Sequence, residues 1–140
     1  MQRPGPPVLL GGMSRPAMER AGRIADGWVT ASNADLSKIA EAAKVVQETA
    51  AAAGRGPVRI ICRGVARAGK PVVSGGQRLL LSGSYEQIRE DTAWLDSCGV
   101  TEVFYDLNWD PLVGDPAAEE GSAVLRASEM IEALAPGGKR

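Results

Sequence analysis

The sequence predicts an α/β fold in which four βα units follow one another and contribute to one parallel sheet. Short apolar or β-branched runs alternate along the chain with stretches whose apolar residues recur every three or four positions, as in amphipathic helices. The chain has 140 residues, of which 44% are hydrophobic and 24% are charged, a balance typical of one globular domain. We therefore expect a single domain over residues 1–140 with a flexible tail at 135–140.

The first unit begins with the apolar run Val8-Leu9-Leu10, which Gly11-Gly12 ends. Ser14 followed by Pro16 is a helix-start signal and predicts a helix that ends near Asp26-Gly27. These features predict the first strand and the first helix.

The second unit pairs the β-prone run Trp28-Val29-Thr30 with a long helix. Asn33 lies where a helix cap is expected, and the apolar residues from Leu36 to Ala53 alternate in steps of three and four. The third strand is predicted at Val58–Val65, the longest β-rich run in the sequence.

Glycine, proline and serine between Ala66 and Ser84 predict a long loop with one short element at Arg78–Leu81. Ser84 and Gln87 have the spacing of a capping box, which predicts the start of the third helix.

The fourth unit has a strand at Val100–Leu107, a loop at Asn108–Pro116 and a closing helix at Ala117–Leu134. The apolar face predicted for that helix consists of Val124, Ala127, Ile131 and Leu134.

Composition excludes several classes of function. The 16 Lys and Arg residues against 17 Asp and Glu leave a net charge of −1, without the basic excess that nucleic-acid binding needs. The chain has no histidine and only two cysteines, far apart at Cys62 and Cys98, so we expect neither histidine catalysis nor a metal site. No apolar run reaches the ~18–20 residues of a membrane span, and residues 1–7 lack a signal-peptide core. We expect a cytoplasmic protein with free thiols and no membrane partner.

Glycine and polar residues follow the predicted strands, at the side of a parallel sheet where a site is expected. The backbone of Gly11 and Gly12 can approach an anion closely, and Thr30 and Ser32 can donate hydroxyls to it. A tight βα turn uses the same glycines, and hydroxyl residues before a helix are often caps, so both interpretations stay open here. Arg63, Arg67 and Lys70 are further candidates, with a solvated basic edge as their structural alternative. Asp106 and Asn108 could orient a ligand or shape a turn, and Trp109 is a candidate for contact with a planar ligand or a partner.

Two sets of motifs resemble one protein family. The string Pro7-Val8-Leu9-Leu10-Gly11-Gly12, with Ala21-Gly22-Arg23-Ile24-Ala25-Asp26-Gly27-Trp28, resembles the carboxyl-terminal half of bacterial luciferase-like flavin and deazaflavin oxidoreductases. Leu81-Ser82-Gly83-Ser84 with Gln87-Ile88, and the segment 98–108, are similar to the last βα unit of that family, especially in members that use coenzyme F420.

The resemblance spans nearly the whole chain and implies half of a TIM-type (β/α)8 barrel, corresponding to strands five to eight. It also implies that Gly11, Gly12 and Thr30, with Ser32 as a weaker transfer, hold the phosphate-bearing tail of coenzyme F420 or FMN. The implied activity is that of an oxidoreductase acting on a small organic substrate, by monooxygenation or hydride transfer. The family's ring-binding and substrate-handling residues come mainly from earlier strands, so the resemblance assigns no catalytic residue here.

A four-stranded half-barrel leaves two edges and one face of its sheet uncovered. We expect a homodimer about the barrel axis, which would close eight strands. The alternatives are a heteromeric or covalent partner that supplies strands one to four, or a chain that is only a fragment of a longer gene product. The alternative function is a non-catalytic barrel half that serves assembly or binds a phosphorylated ligand without turnover.

Overall fold

Eight strands and five helices make up the described part of the chain, residues 5–119 and 121–135 of a computed structural model. In chain order they are β1 (Leu9–Gly11), α1 (Arg15–Ile24), β2 (Gly27–Val29), a 3₁₀ turn (Leu36–Lys38), α2 (Ile39–Ala52), β3 (Arg59–Val65), β4 (Arg67–Ala68), β5 (Val73–Ser74), β6 (Gln77–Arg78), β7 (Ser82–Gly83), α3 (Tyr85–Ser97), β8 (Glu102–Asp106), α4 (Pro111–Gly114) and α5 (Ser122–Leu134). The main sheet has the order β1-β2-β3-β8.

The main sheet is parallel throughout. Leu9 is in register with Gly27, and Gly27 with Arg59, along parallel pairings of β1 with β2 and of β2 with β3. Between β3 and β8, Thr101 N donates to the Ile60 carbonyl at 2.8 Å, and Ala66 N donates to the Asp106 carbonyl at 3.0 Å. Residue numbers rise together along both strands, so these strands also run parallel. The predicted α/β class with a parallel sheet is confirmed.

Contacts divide the described chain into two compact units. The first consists of residues 5–64 and 95–104, and the second of residues 65–94, 105–119 and 121–135. In the first unit α1 and α2 pack on one face of the sheet, and large side chains that are fully buried there include Trp28, Ile39, Val46, Ile60 and Cys62.

The second unit is organised around a buried carboxylate. Asp91 accepts hydrogen bonds from both terminal nitrogens of Arg78, at 2.6 and 2.7 Å, and from the backbone N–H of Leu81 at 2.7 Å. Leu81 has φ +61° and is fully buried, as are Ser82 and Ile88. The ion pair therefore holds Leu81 at a positive φ, a backbone conformation that is uncommon for residues other than glycine.

Two of the predicted helix starts are confirmed by their hydrogen bonds. Ser14 accepts from Ala17 N at 3.4 Å before α1. In the predicted capping box Gln87 N donates to Ser84 Oγ at 3.2 Å, and Ser84 N donates to Gln87 Oε1 at 2.9 Å. Local signals decide these two positions because each bond joins residues three apart in sequence.

The predicted cap at Asn33 is wrong. Asp35 instead accepts from Ser37 N at 3.2 Å and starts the 3₁₀ turn that precedes α2. The segment 66–84 contains four two-residue strands rather than one short element, and its hairpin turns at Gly75 and Gly76, which both have positive φ. Strands of two residues are too short for a periodicity signal.

The closing helix also differs from its prediction. Helix α5 begins at Ser122 instead of Ala117, and α4 occupies part of the predicted loop. Its predicted inner positions Val124 and Ile131 are 69% and 68% exposed, whereas Met130 is buried. The other two predicted positions, Ala127 and Leu134, are half-buried, and beside them Arg126 pairs with the buried Asp110 at 3.1 Å.

The two ends of the chain are not part of the described structure. The predicted tail at 135–140 lies outside the described residues except for Ala135, and residues 1–4 lie outside them as well. Within residues 5–119 and 121–135 no helix combines the length and apolar composition needed to cross a membrane.

Candidate functional site

The Gly-Gly turn lies at the carboxyl end of β1, immediately before α1. Gly12 has φ +126°, and a Cβ at this position would lie 2.8 Å from the Cβ of Ala17. The Gly12 carbonyl accepts a 2.9 Å hydrogen bond from the indole N–H of Trp28. The fold itself therefore requires glycine at position 12, for its backbone angle and for the close approach of α1.

Gly11 is different, because the fold does not require it. Its φ lies outside the left-handed region, and a Cβ there would meet Val29 only at 3.6 Å, an ordinary contact distance. The missing side chain leaves the exposed backbone open at the end of the strand. This arrangement suits a ligand that approaches the backbone closely.

Thr30 joins two strands of the sheet. Its side chain is buried, and its hydroxyl donates to the Arg63 carbonyl and accepts from Arg63 N, both at 2.9 Å. A hydroxyl has one hydrogen, and the Arg63 carbonyl takes it. In this arrangement Thr30 fastens β2 to β3 and holds the backbone of Arg63, whereas the sequence suggested a donor to an anion.

Ser32 lies in a turn after β2. Ala34 N donates to the Ala31 carbonyl at 3.0 Å, which makes Ser32 and Asn33 the central residues of a β-turn. Ser32 is half-buried.

A cleft of about 550 Å³ lies between the start of α1, the turn after β2 and the start of α2. Its wall carries five apolar side chains, two cations, two carboxylates and one amide, which are Met13, Met18, Ala34, Ala42, Val45, Arg15, Lys38, Asp35, Glu41 and Asn33. Sequence reasoning missed this cleft, because its lining comes from three separate elements. The proximity of Met13 to the Gly-Gly turn was the one signal that could have indicated it.

The charges of the cleft are mixed. Arg15 Nε lies 2.9 Å from Glu19 Oε1, and Lys38 Nζ lies 3.7 Å from Asp35 Oδ2. A hydrogen bond from the Ser37 side chain, aided by the charge of Lys38, lowers the pKa of Asp35, which is therefore ionised at neutral pH. Both ion pairs lie on exposed side chains and are weak, so the two cations can turn to a bound anion at little cost.

The sheet face opposite α1 and α2 forms a second concavity, of about 520 Å³. Its apolar residues are Leu9, Val29, Ile61, Val103 and Phe104. Arg63 lies over the Phe104 ring, 5.7 Å from its centroid, and Arg59 Nη1 lies 3.1 Å from Glu102 Oε1. We call this surface the open face.

The remaining predicted residues lie in the second unit. The buried Asp106 accepts from Asn108 N at 3.0 Å, the bond of a turn-shaping aspartate, so the structural alternative holds for that contact. Trp109 is exposed, as is Lys70, and Arg67 is half-buried. Arg63 is in the first unit with the Gly-Gly turn.

Neither thiol is placed for chemistry with a metal. Among residues 5–119 and 121–135 no group of three or more acidic, histidine or cysteine side chains could hold a metal ion. Burial raises the pKa of the Cys62 thiol to about 11. Cys62 is therefore protonated at neutral pH and inert as a nucleophile.

Comparison with known proteins connects this geometry to one family. Residues 1–71 match the model of the luciferase-like monooxygenase family. That segment contains β1, β2 and β3 with the Gly-Gly turn, Thr30 and Ser32. No curated protein sequence matches the chain.

Solved structures share the fold. A coenzyme F420 dependent tetrahydromethanopterin reductase from Methanopyrus kandleri is 16% identical, with a TM-score of 0.61 over 89% of this chain and 48% of its own. An F420-dependent secondary alcohol dehydrogenase, in complex with an F420-acetone adduct, is 12% identical, with a TM-score of 0.64 over 96% of this chain and 50% of its own. The chain spans about half the length of each of these structures.

Proposed function

The chain belongs to the luciferase-like monooxygenase family, and on that premise we propose that it holds the phosphate-bearing tail of coenzyme F420 in an oxidoreductase. Two structures of similar fold are named as F420-dependent enzymes, which favours the deazaflavin. FMN carries a phosphate as well, and it is the competing cofactor.

Gly11 is the observation that carries this proposal. A glycine that the fold needs is explained by the fold, as Gly12 is. Gly11 has no such explanation, since an alanine Cβ would contact only Val29 at an ordinary distance. A phosphate oxygen lying against the strand end would explain it, because a side chain there would keep the oxygen away from the backbone.

Other parts of the chain support the tail in this proposal. The amino end of α1 follows the glycines and carries a partial positive charge, and Arg15 and Lys38 lie on the adjoining cleft. Ser32 contributes a hydroxyl from the turn after β2, and Thr30 acts indirectly by fixing β3. When bound, the cofactor ring supplies the hydride transfer or oxygen activation, and the chain supplies binding and orientation.

The decisive experiment is a fluorescence titration of the purified chain with F420 and, separately, with FMN. We expect F420 to bind and Gly11→Ala to weaken it by about tenfold or more without changing the unfolding midpoint, because the new Cβ obstructs only the ligand. Gly56→Ala is the matched control, since a Cβ at Gly56 would have no neighbour within 4 Å.

Three results would count against the proposal. Absence of binding of either cofactor at tens of micromolar would overturn it. FMN binding in preference to F420 would correct the cofactor, and equal affinity in the Gly11→Ala and Gly56→Ala variants would remove Gly11 from the site.

Turnover belongs to the assembled protein in this proposal, because the chain spans about half the length of the enzymes whose fold it shares. Binding of F420 by the chain without reduction of a substrate would favour the non-catalytic binding module. We also propose a cytoplasmic location, which suits the free thiols of Cys62 and Cys98.

A further inference from the structure

The open face is unusual for a parallel sheet. Parallel sheets occur almost only where both faces are covered, since their strands are apolar on both sides. Here α1 and α2 cover one face, on which Trp28 and Ile60 are fully buried. On the other face Phe104 is 57% exposed and Leu9 is 44% exposed.

The two sheet edges are also compatible with each other. The order β1-β2-β3-β8 places β1 at one edge and β8 at the other, and all four strands run in one direction. A rotation about an axis parallel to the strands preserves that direction. Strand β8 of one copy can therefore pair in parallel with β1 of a second copy, twice in the same assembly.

We propose that the open face is covered by a second copy of this chain, related by a two-fold axis along the strands, so that eight strands close into one barrel. The closed arrangement satisfies both edges of both copies, which a simple stacking of two open faces would not do.

The distribution of residues on the open face fits such a partner. Along β3 the side chains on this face are Arg59, Ile61 and Arg63, so charged residues lie at the two ends and an apolar one, 7% exposed in the single chain, lies between them. Ile61 lies beside Val29 in the sheet register. An apolar centre with polar ends is the usual anatomy of an interface between subunits.

Both charged ends already have partners that can enter the interface with them. Arg59 pairs with Glu102 at 3.1 Å, and Arg63 lies over the Phe104 ring. A second copy brings the same apolar centre and the same Arg59–Glu102 pair, so that pair enters the interface without a new ionic partner.

The choice of a second copy rests on this symmetry. Eight strands suffice to fill a closed barrel with side chains, and this sheet supplies four. The solved structures of similar fold are about twice the length that this chain covers, so they contain room for a second set of such units. The proposed dimer does not require a bound cofactor, because only the sheet forms its interface.

The first test is the molar mass of the purified chain in solution, by light scattering and native mass spectrometry at tens of micromolar. We expect twice the 14.6 kDa of one chain, with no larger species as the concentration rises. A folded monomer would overturn the inference, and so would open-ended growth. A monomer that assembles only with a separate polypeptide carrying the other four strands would overturn it in favour of that partner.

A pair of matched variants tests the surface. Phe104→Lys should raise the dimer dissociation constant by about a hundredfold or more, because each dimer loses two buried rings and gains two buried charges. Ile24→Lys, at a residue 66% exposed on α1, should leave the dimer intact. Both side chains are exposed in one chain, so circular dichroism should show both variants folded. Dimer loss in Ile24→Lys alone would overturn the assignment of the face.

Hydrogen exchange of the unmodified protein tests the edges. Within Leu9–Gly11 and Glu102–Phe104, the amides that point away from the neighbouring strand should exchange slowly in the dimer and about tenfold or more faster on dilution to monomer, whereas those of Gly27–Val29 inside the sheet should change little. Unchanged exchange at both edges would show that the copies associate without closing the barrel, contrary to the inference.

Discussion

Thr30→Val isolates the structural role of a residue that the sequence assigned to a ligand. Valine has the shape of threonine, so the change removes two hydrogen bonds and creates no cavity. It leaves Arg63 N and the Arg63 carbonyl without the buried partner that each has at 2.9 Å. A net hydrogen bond contributes about 0.5–1.5 kcal/mol, and an unsatisfied buried group costs about 1–3 kcal/mol. We expect the free energy of unfolding to fall by about 2–4 kcal/mol.

Urea denaturation followed by circular dichroism measures this loss, and thermal unfolding should show a midpoint lower by about 6–12 °C. Thr49→Val is the control, since Thr49 donates only to the Val45 carbonyl within its own helix at 2.7 Å. That change should cost less than about 1 kcal/mol. A loss below about 1 kcal/mol in Thr30→Val, together with a tenfold loss of cofactor affinity, would refute the structural role and restore Thr30 as a ligand donor.

Two further predictions concern buried groups in the two units. The raised pKa of Cys62 means that its thiol ionises at a lower pH in the unfolded chain than in the folded one. The contribution of Cys62 to the free energy of unfolding is therefore complete below pH 9 and falls by about 2–3 kcal/mol as the pH rises to about 11. Urea titrations of Cys62→Ala across this range should lack that part of the loss, and identical pH profiles of the two proteins would contradict the prediction. Asp91→Asn should destabilise the chain by about 2–4 kcal/mol and speed proteolysis within 66–84, because Arg78 loses its counter-charge and the amide keeps only one of the two oxygens that accept from Arg78 and Leu81. The exposed Glu86→Gln is the control, and equal proteolysis of the two variants would show that Asp91 does not hold the loop.

Local patterns were sufficient wherever one element could be decided from its own residues. The Ser84 and Gln87 capping box joins residues three apart, and the alternation of apolar positions in α2 needs only one face to be buried. The same holds for the α/β class, because its strands and helices alternate in order along the chain. None of these features depends on contacts with residues far away in the sequence.

The last helix shows where local patterns fail. Its apolar periodicity suggested that Val124 and Ile131 face inward, yet both are exposed. Arg126, which is largely buried, pairs with Asp110, and these residues are sixteen positions apart. Periodicity describes an apolar stripe but does not say whether a buried ion pair will turn a different face inward.

The sequence by itself determined the α/β class, the parallel order of its βα units and the glycine pair that ends the first strand. The tertiary structure decided which glycine the fold needs, since only the distance to Ala17 and the angle at Gly12 separate it from Gly11. It also showed the hydrogen-bond partner of Thr30, the Arg63 backbone, which is 33 residues away. Such distinctions depend on contacts between distant strands, and a single sequence records the residues without recording which of them meet.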